Sequence, residues 1–396
     1  MKARNWIGLY GSYTFGMAGI GFTLPLLPLF LHERGLSEQT IGLVSTMSAL
    51  AGLIQFPLGL LSDRVARRKP MVVVALALLL CSTWALRNAH GTLWLAVLVA
   101  LFAENGACRA SVESLSGALA IELAGAGGVG AALGALRAWK PIGIIVMALL
   151  GGWLAERSGI EAVLLPLALV QLLALGCSLA IDEPGQHGRG MRSEECPPAR
   201  LRDATVWWFV LAMVLFHIAN ASAGVYLALF MKREFQARAQ TLSYAFIISN
   251  IVWMIAVRPA GRLADRIGRR PLLRLAWSLM TLRLAALALA RSTTDVLFIQ
   301  ILDGAAQALF VVVAASWLTD RLGREHAGRA QVMVGCALVF GSAIGPTLSG
   351  SLLDSLGYRG TFGMLAGVGL VATLLVAWLI PETLQRPTPS VETLTT

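Results

Sequence analysis

Glu104, Arg109 and Glu113 lie in the stretch LFAENGACRASVESLSGALA (residues 101–120), otherwise dominated by apolar and small residues. An ionised side chain in such a setting costs at least about 2.5 kcal/mol in a bilayer, so it is retained for pairing, proton transfer or contact with a charged solute. Asn105, Arg109, Glu113 and Ser116 recur at i, i+4, i+8 and i+11, which places one polar stripe along a helix. Glu104 falls on another face, about 140° from Arg109. Arg137 and Lys140 follow, one turn apart, just before Pro141. Counting residues inward along helices puts Arg137 at the depth of Glu113 and Lys140 at that of Arg109, so the spacing predicts a Glu113–Arg137 ion pair. Arg109 and Lys140 are then left with Glu104 as their nearest counter-charge, an excess of positive charge that suits an anionic or carboxylate-bearing solute.

Later in the chain Gln300, Asp303 and Gln307 share a helix face, His217, Asn220 and Tyr226 mark one apolar run, and Asn250 and Trp253 another. Arg283 sits in the middle of a third. A carboxylate that loads and unloads protons must stay free of a tight cation partner. Glu104 and Asp303 meet that condition within their own helices, with Glu113 and His217 as further proton-coupling candidates. For His217 a hydrogen-bonded packing role is the stronger expectation. Asn105, Arg109, Arg137, Lys140, Asn220, Tyr226, Asn250, Trp253, Gln300 and Gln307 are the candidates to line a solute cavity.

These residues need a scaffold that holds them inside a membrane. Of 396 residues, 57% are hydrophobic and 14% charged, against about 25% charged in soluble domains. Polar punctuation separates twelve apolar stretches long enough to cross a ~30 Å hydrocarbon core: 6–31, 38–62, 70–88, 92–121, 129–155, 160–181, 205–231, 240–260, 271–291, 295–319, 329–353 and 360–381. The first is too long for a signal peptide and lacks a cleavage site. Five scattered cysteines show no CxxC spacing, so neither a disulfide framework nor a metal site is expected. The net charge of +10 gathers in short loops, which argues against a nucleic-acid partner.

The string GLLSDRVARRKP (Gly59 to Pro70) returns as GRLADRIGRRP (Gly261 to Pro271), each time after a long apolar run. This internal repeat divides the chain into two six-span bundles, 1–181 and 205–381, joined by a polar linker at 182–204 and followed by a tail at 382–396 expected to be disordered. Both strings read as short aqueous loops. With the amino terminus in the cytoplasm, that side collects roughly nineteen of the Lys and Arg residues and the other side roughly eight. Both termini, the linker and both strings are thus expected in the cytoplasm, with the protein in the inner membrane.

Twelve spans with G-x-L-[S/A]-D-R-x-x-R-R between the second and third of each half resemble the major facilitator superfamily of secondary transporters. The resemblance covers essentially the whole chain and implies an all-α membrane fold of two pseudo-symmetric bundles, a small-molecule substrate, no cofactor and a monomeric state. It implies that Gly59, Asp63, Arg64 and Arg68, with Gly261, Asp265, Arg266 and Arg270, form conformational latches. The acid would meet a helix amino terminus of the other half, and the arginines would hold neighbouring helix ends. A fifth-span signature associated with export is matched in part by Gly143, Gly151 and Gly152; its eleventh-span counterpart keeps Gly341, Gly345 and Pro346. These read as helix-packing positions. The fourth-span signature R-x-x-x-G is altered: Phe102 stands where the arginine would, and Arg109 follows Gly106.

The pattern is closest to the drug/proton antiporter branch and implies proton-coupled efflux. Uptake of an organic anion, lipid flipping and, remotely, a non-transporting sensor or enzyme are the alternatives. No paired catalytic groups, metal spacing or phosphate loop supports an enzyme.

Overall fold

The computed structural model describes residues 3–65, 67–124, 135–182, 203–322 and 327–383. Among these residues ten helices are long and apolar enough to cross a membrane, and the bent pair Ala3–Thr23 and Leu27–Glu33, broken by 51°, adds an eleventh span. The last helix, Ala327–Leu379, has 53 residues, about 80 Å if straight and far more than one bilayer. It turns back at Gly357, whose φ of 64° and ψ of 179° are non-helical and open to a residue without Cβ. Hence the described residues supply twelve spans, and no strand occurs among them.

The second span runs from Glu38–Ala51 through a tight 3-10 turn, Gly52–Ile54, into Gln55–Val65. The third is Lys69–Asn88, the fifth Lys140–Ser158 and the sixth Leu164–Leu179. Prolines 70 and 141 sit in the first turns of the third and fifth spans, where a missing N–H costs nothing. In the second half the spans are Ala204–Phe235, Ala239–Ile267, Arg269–Leu289 and Thr293–Leu322, then the two limbs either side of Gly357. Outward-facing Trp94, Leu289, Phe298 and Trp378 are largely exposed, as side chains solvated by lipid should be.

The fourth span differs from the continuous helix expected. Thr92–Phe102 stops, Ala103 takes an extended conformation, and a second helix begins at Ala107. Glu104 and Asn105 therefore occupy a break, and the four-residue stripe through Asn105 is not set on one helix. The repeated strings also differ from loops: helix continues to Val65 in the first copy and Ile267 in the second. Apolar residues sustain both helices, and the second ends only at Gly268, with φ of 109°.

Call the end that carries residue 3 the near face and the opposite end the far face. At the near face each repeat holds the end of a span more than fifty residues further along the chain. Arg68 pairs with Glu122, and Arg269 pairs with Asp320 at 2.9 Å. Arg270 and Arg274 both donate to the Ala377 carbonyl, and Glu382 accepts from the backbone N–H groups of Arg269 and Arg270. Asp265 is exposed and bonded to Arg269 of its own half at 3.0 Å. The Asp63 and Arg64 side chains lie outside those described, as do most of the linker, Cys196 and the tail from residue 384. Arg266 is exposed.

Asp203 caps the seventh span, accepting from the Thr205 N–H at 2.9 Å, and receives Arg321 from the tenth at 2.7 Å. Burial works against its charge, but the hydrogen bonds from Thr205 and Arg321 outweigh it and hold the carboxyl below the usual carboxylate range. A depressed folded pKa contributes stability above the unfolded value and loses it as pH falls through the folded one. Asp203→Ala is accordingly expected to cost about 1 kcal/mol. Its melting temperature in detergent should fall below wild type at neutral pH, with the gap narrowing below about pH 4. A gap independent of pH would assign the loss to packing instead.

At the far face the two halves carry matching clamps of opposite sign. Arg34 binds Glu161 at 2.8 Å and the Ala89 carbonyl at 2.7 Å in the first half. In the second, Glu234 binds Arg359 at 3.2 Å, and Arg359 reaches the Ala288 carbonyl. Each clamp ties the end of the half's first span to the turn before its last.

Candidate functional site

In the first half, Lys140 donates to Glu113 at 2.7 Å, Tyr13 donates to the same carboxylate at 3.1 Å, and Arg137 stands 4.0 Å away, half-exposed. Glu113 thus joins the first, fourth and fifth spans; the expected pair with Arg137 forms at the long end of ion-pairing distance, and Lys140, expected at the depth of Arg109, is its closer cation. The fifth helix starts only at Lys140, after a turn at Ala138 and Trp139, so counting depth along an unbroken helix through Arg137 fails.

Arg109 is 1% exposed. It donates through Nη1 to Thr23 at 2.7 Å and lies 4.6 Å over the Phe102 ring, while Nε and Nη2 have no hydrogen-bond partner among the described residues. A Cβ on Gly19 would collide with the guanidinium. The break in the first span and the break in the fourth therefore meet at Arg109. Asn105 turns its carbonyl against Gly52, so the tight turn of the second span packs there too. Glu104 is partly exposed and has no ion-pair or hydrogen-bond contact among the described residues.

The second half holds a different cluster. Arg283, 2% exposed on its side chain, binds Asp303 at 2.9 Å and Asn220 at 2.9 Å, and Ser249 donates to Asp303 at 2.5 Å. Four spans, seventh to tenth, meet in this network. Asp303 has no cation on its own helix, but the ninth span supplies one. Glu104 and Asp303, paired as equals in the sequence, thus stand in unlike surroundings. His217 is buried, edge-on to Phe310 at 4.7 Å, and neither ring nitrogen has a partner among the described residues. It is a packing residue without the hydrogen bond expected of it.

The remaining cavity candidates divide. Asn250 and Gln300 bond carbonyls of their own helices, Phe246 and Val296. Trp253 and Gln307 are partly exposed. Tyr226 is taken up by a contact between the halves: its hydroxyl proton is shared between the carbonyls of Glu38 (2.9 Å) and Pro346 (3.0 Å).

That contact belongs to a seam between the halves at the far face, which sequence reading missed. The second span packs on the eleventh, the fifth on the eighth, and the end of the first on the seventh. Glu38, in the first turn of the second span, accepts from Tyr358 at 2.9 Å and pairs with Arg233 at 3.0 Å. Thr46 bonds Ala343 and Thr347 of the eleventh span. Gly152 meets Ser243, and Gly42 meets the Pro346 carbonyl. Gly143 abuts Thr14, Gly151 lies against Val163, and Gly341 and Gly345 lie against the seventh span around His217 and Ile218. A charged residue at the start of an apolar run, as Glu38 is, was the available signal.

Two helical bundles sealed against each other at one face, with ionisable groups between broken membrane spans, define a membrane transporter. The chain belongs to the MFS_1 like family of the major facilitator superfamily, whose family model matches residues 6–364. It is 25% identical over 382 residues to an uncharacterised MFS-type transporter of Mycobacterium tuberculosis, covering 93% of this chain and 83% of that one. It is 23% identical over 380 residues to the multi-drug resistance efflux pump PmrA of Streptococcus pneumoniae, covering 91% and 93%. Its fold matches the crystal structure of the nucleoside transporter NupG with a TM-score of 0.79 at 14% identity, over 96% of this chain and 99% of that one.

Proposed function

We propose that the protein exports small organic or amphipathic molecules across the bacterial inner membrane in exchange for protons, acting as a monomer by alternating access. The observation that carries the reading is Glu104. It is a partly exposed carboxylate inside a broken membrane span, and it lacks the ion pairs that hold Glu113 and Asp303. Such a group can change protonation without tearing down a structural contact. Likeness to a multi-drug efflux pump supports export, and the Lys and Arg distribution supports a cytoplasmic near face. With that orientation the far-face seam supports a cytoplasm-open state, in which a cargo molecule enters. Closure of the near face would bring the exposed Asp265 and its counterpart Asp63 against the opposite half, and their engagement would favour the other state.

The test is proton flux in proteoliposomes with ethidium as the transported probe. Glu104→Gln is expected to lose proton-driven movement by at least about tenfold, while ethidium exchange down its own gradient persists. Unchanged coupling in Glu104→Gln removes Glu104 from the proton path. Buried Arg109 favours a second reading, proton-coupled uptake of an organic anion, which predicts proton-driven inward movement of benzoate in the same vesicles.

A further inference from the structure

The break in the fourth span places two sources of positive potential together. Ala110 makes the first hydrogen bond of the second half-helix, to Gly106 at 3.0 Å. The N–H groups of Ala107, Cys108 and Arg109 precede it and form the positive end of that helix, inside the membrane. Arg109, in the same first turn, reaches back across the break to lie over Phe102, the last residue of the preceding half-helix. It is 1% exposed, and two of its three guanidinium nitrogens are unpartnered. No carboxylate within ion-pairing distance of it occurs among the described residues. A buried guanidinium left this way costs several kcal/mol unless an anion arrives in some state of the cycle.

The surroundings favour a compact, singly charged group. Thr23, whose own hydroxyl donates to the Gly19 carbonyl at 2.9 Å, fixes Nη1. Phe102 covers one face of the guanidinium plane, leaving an edge with Nε and Nη2 of the kind that grips a carboxylate through two parallel hydrogen bonds. The only negative charge built into the break is Glu104, five residues before Arg109.

We propose that this break is an anion subsite: Arg109 and the half-helix amino terminus hold a carboxylate group of the transported molecule, which competes with the Glu104 carboxylate for the same positive field. The proposal rests on the second reading above, proton-coupled uptake of an organic anion, and names the subsite that holds the anion. Protonation of Glu104 then removes the competitor, so that proton and anionic cargo favour each other's binding. The binding step forms no covalent bond.

The probe is benzoate, with benzamide as its neutral counterpart, titrated into the purified protein near neutral pH and followed by fluorescence of its 11 tryptophans. Benzoate is expected to bind roughly tenfold more tightly than benzamide. Arg109→Gln should erase that preference and Arg109→Lys should keep part of it. Glu104→Gln should tighten benzoate severalfold, a gain that general damage to the fold does not produce, and it carries the test if Arg109→Gln fails to fold. Equal binding of the two probes, a preference retained in Arg109→Gln, or weaker benzoate binding in Glu104→Gln overturns the subsite. Proton-driven ethidium transport with no benzoate preference would leave the transporter reading standing and remove the subsite alone. Benzoate preference without transport would do the reverse.

Discussion

In Glu38→Gln the far face opens. The substitution removes the ion pair with Arg233 and weakens the bond from Tyr358. Arg233 is half-exposed and its arm is worth less than about 1 kcal/mol. The Tyr358 contact is buried, and a hydrogen bond to a charged group is worth about 1.5–3 kcal/mol. Together the loss is about 2 kcal/mol, roughly a thirtyfold shift in the balance between the two open states. The Tyr226 bond to the Glu38 backbone carbonyl remains, so the seam is weakened and not abolished. Spin labels at the exposed positions Leu93 and Leu289, one in each half, report the change as a longer distance population in the variant. An unaltered distance distribution would exclude Glu38 as a clasp.

The second large effect concerns the buried pair in the other bundle. Asp303→Asn leaves Arg283 charged with its ion pair gone, and Arg283→Met strands Asp303 beside Ser249. Breaking a buried pair from one side costs about 3–5 kcal/mol, whereas replacing both partners with apolar residues of similar size is often neutral. Each single variant should therefore melt well below wild type in detergent, and Arg283→Met combined with Asp303→Leu should recover most of the loss. That non-additivity is the signature of a structural pair. If the singles are as stable as wild type, the network is not holding the seventh to tenth spans together. If the double variant is stable and still couples proton flux, Asp303 is outside the proton path as well.

The twelve crossings were legible because each is a run of apolar residues bounded by charge, a property local in sequence. The repeat was legible for the same reason, since Asp63 and Asp265 recur within matching strings. What could not be read was anything that depends on two distant segments at once. Arg283 and Asp303 are twenty residues apart and meet because the ninth and tenth spans lie side by side. Lys140 comes closer to Glu113 than Arg137 does because the chain between them is a turn, whose one mark in the sequence is Pro141 in the first turn of the helix that follows. The break at Ala103–Gly106 has a glycine only at its end, and continuous apolar pattern on both sides hides it. Tyr226 reads as a cavity residue on its helix, but its hydroxyl is consumed by carbonyls of two other spans. Glu38 reads as an ordinary helix-start acid after the capping Ser37, and only the opposite bundle gives it a second role.

The glycine contacts along the far-face seam have an electrical consequence. Where Gly42 faces the Pro346 carbonyl and Gly350 faces the Tyr226 hydroxyl and the Glu38 backbone, added Cβ atoms would collide with their neighbours. Backbones that touch leave no room for a file of water, and proton hopping needs such a file. The seam thereby insulates one side of the bilayer from the other. A carrier sealed this way at one face can turn over without opening a leak for protons.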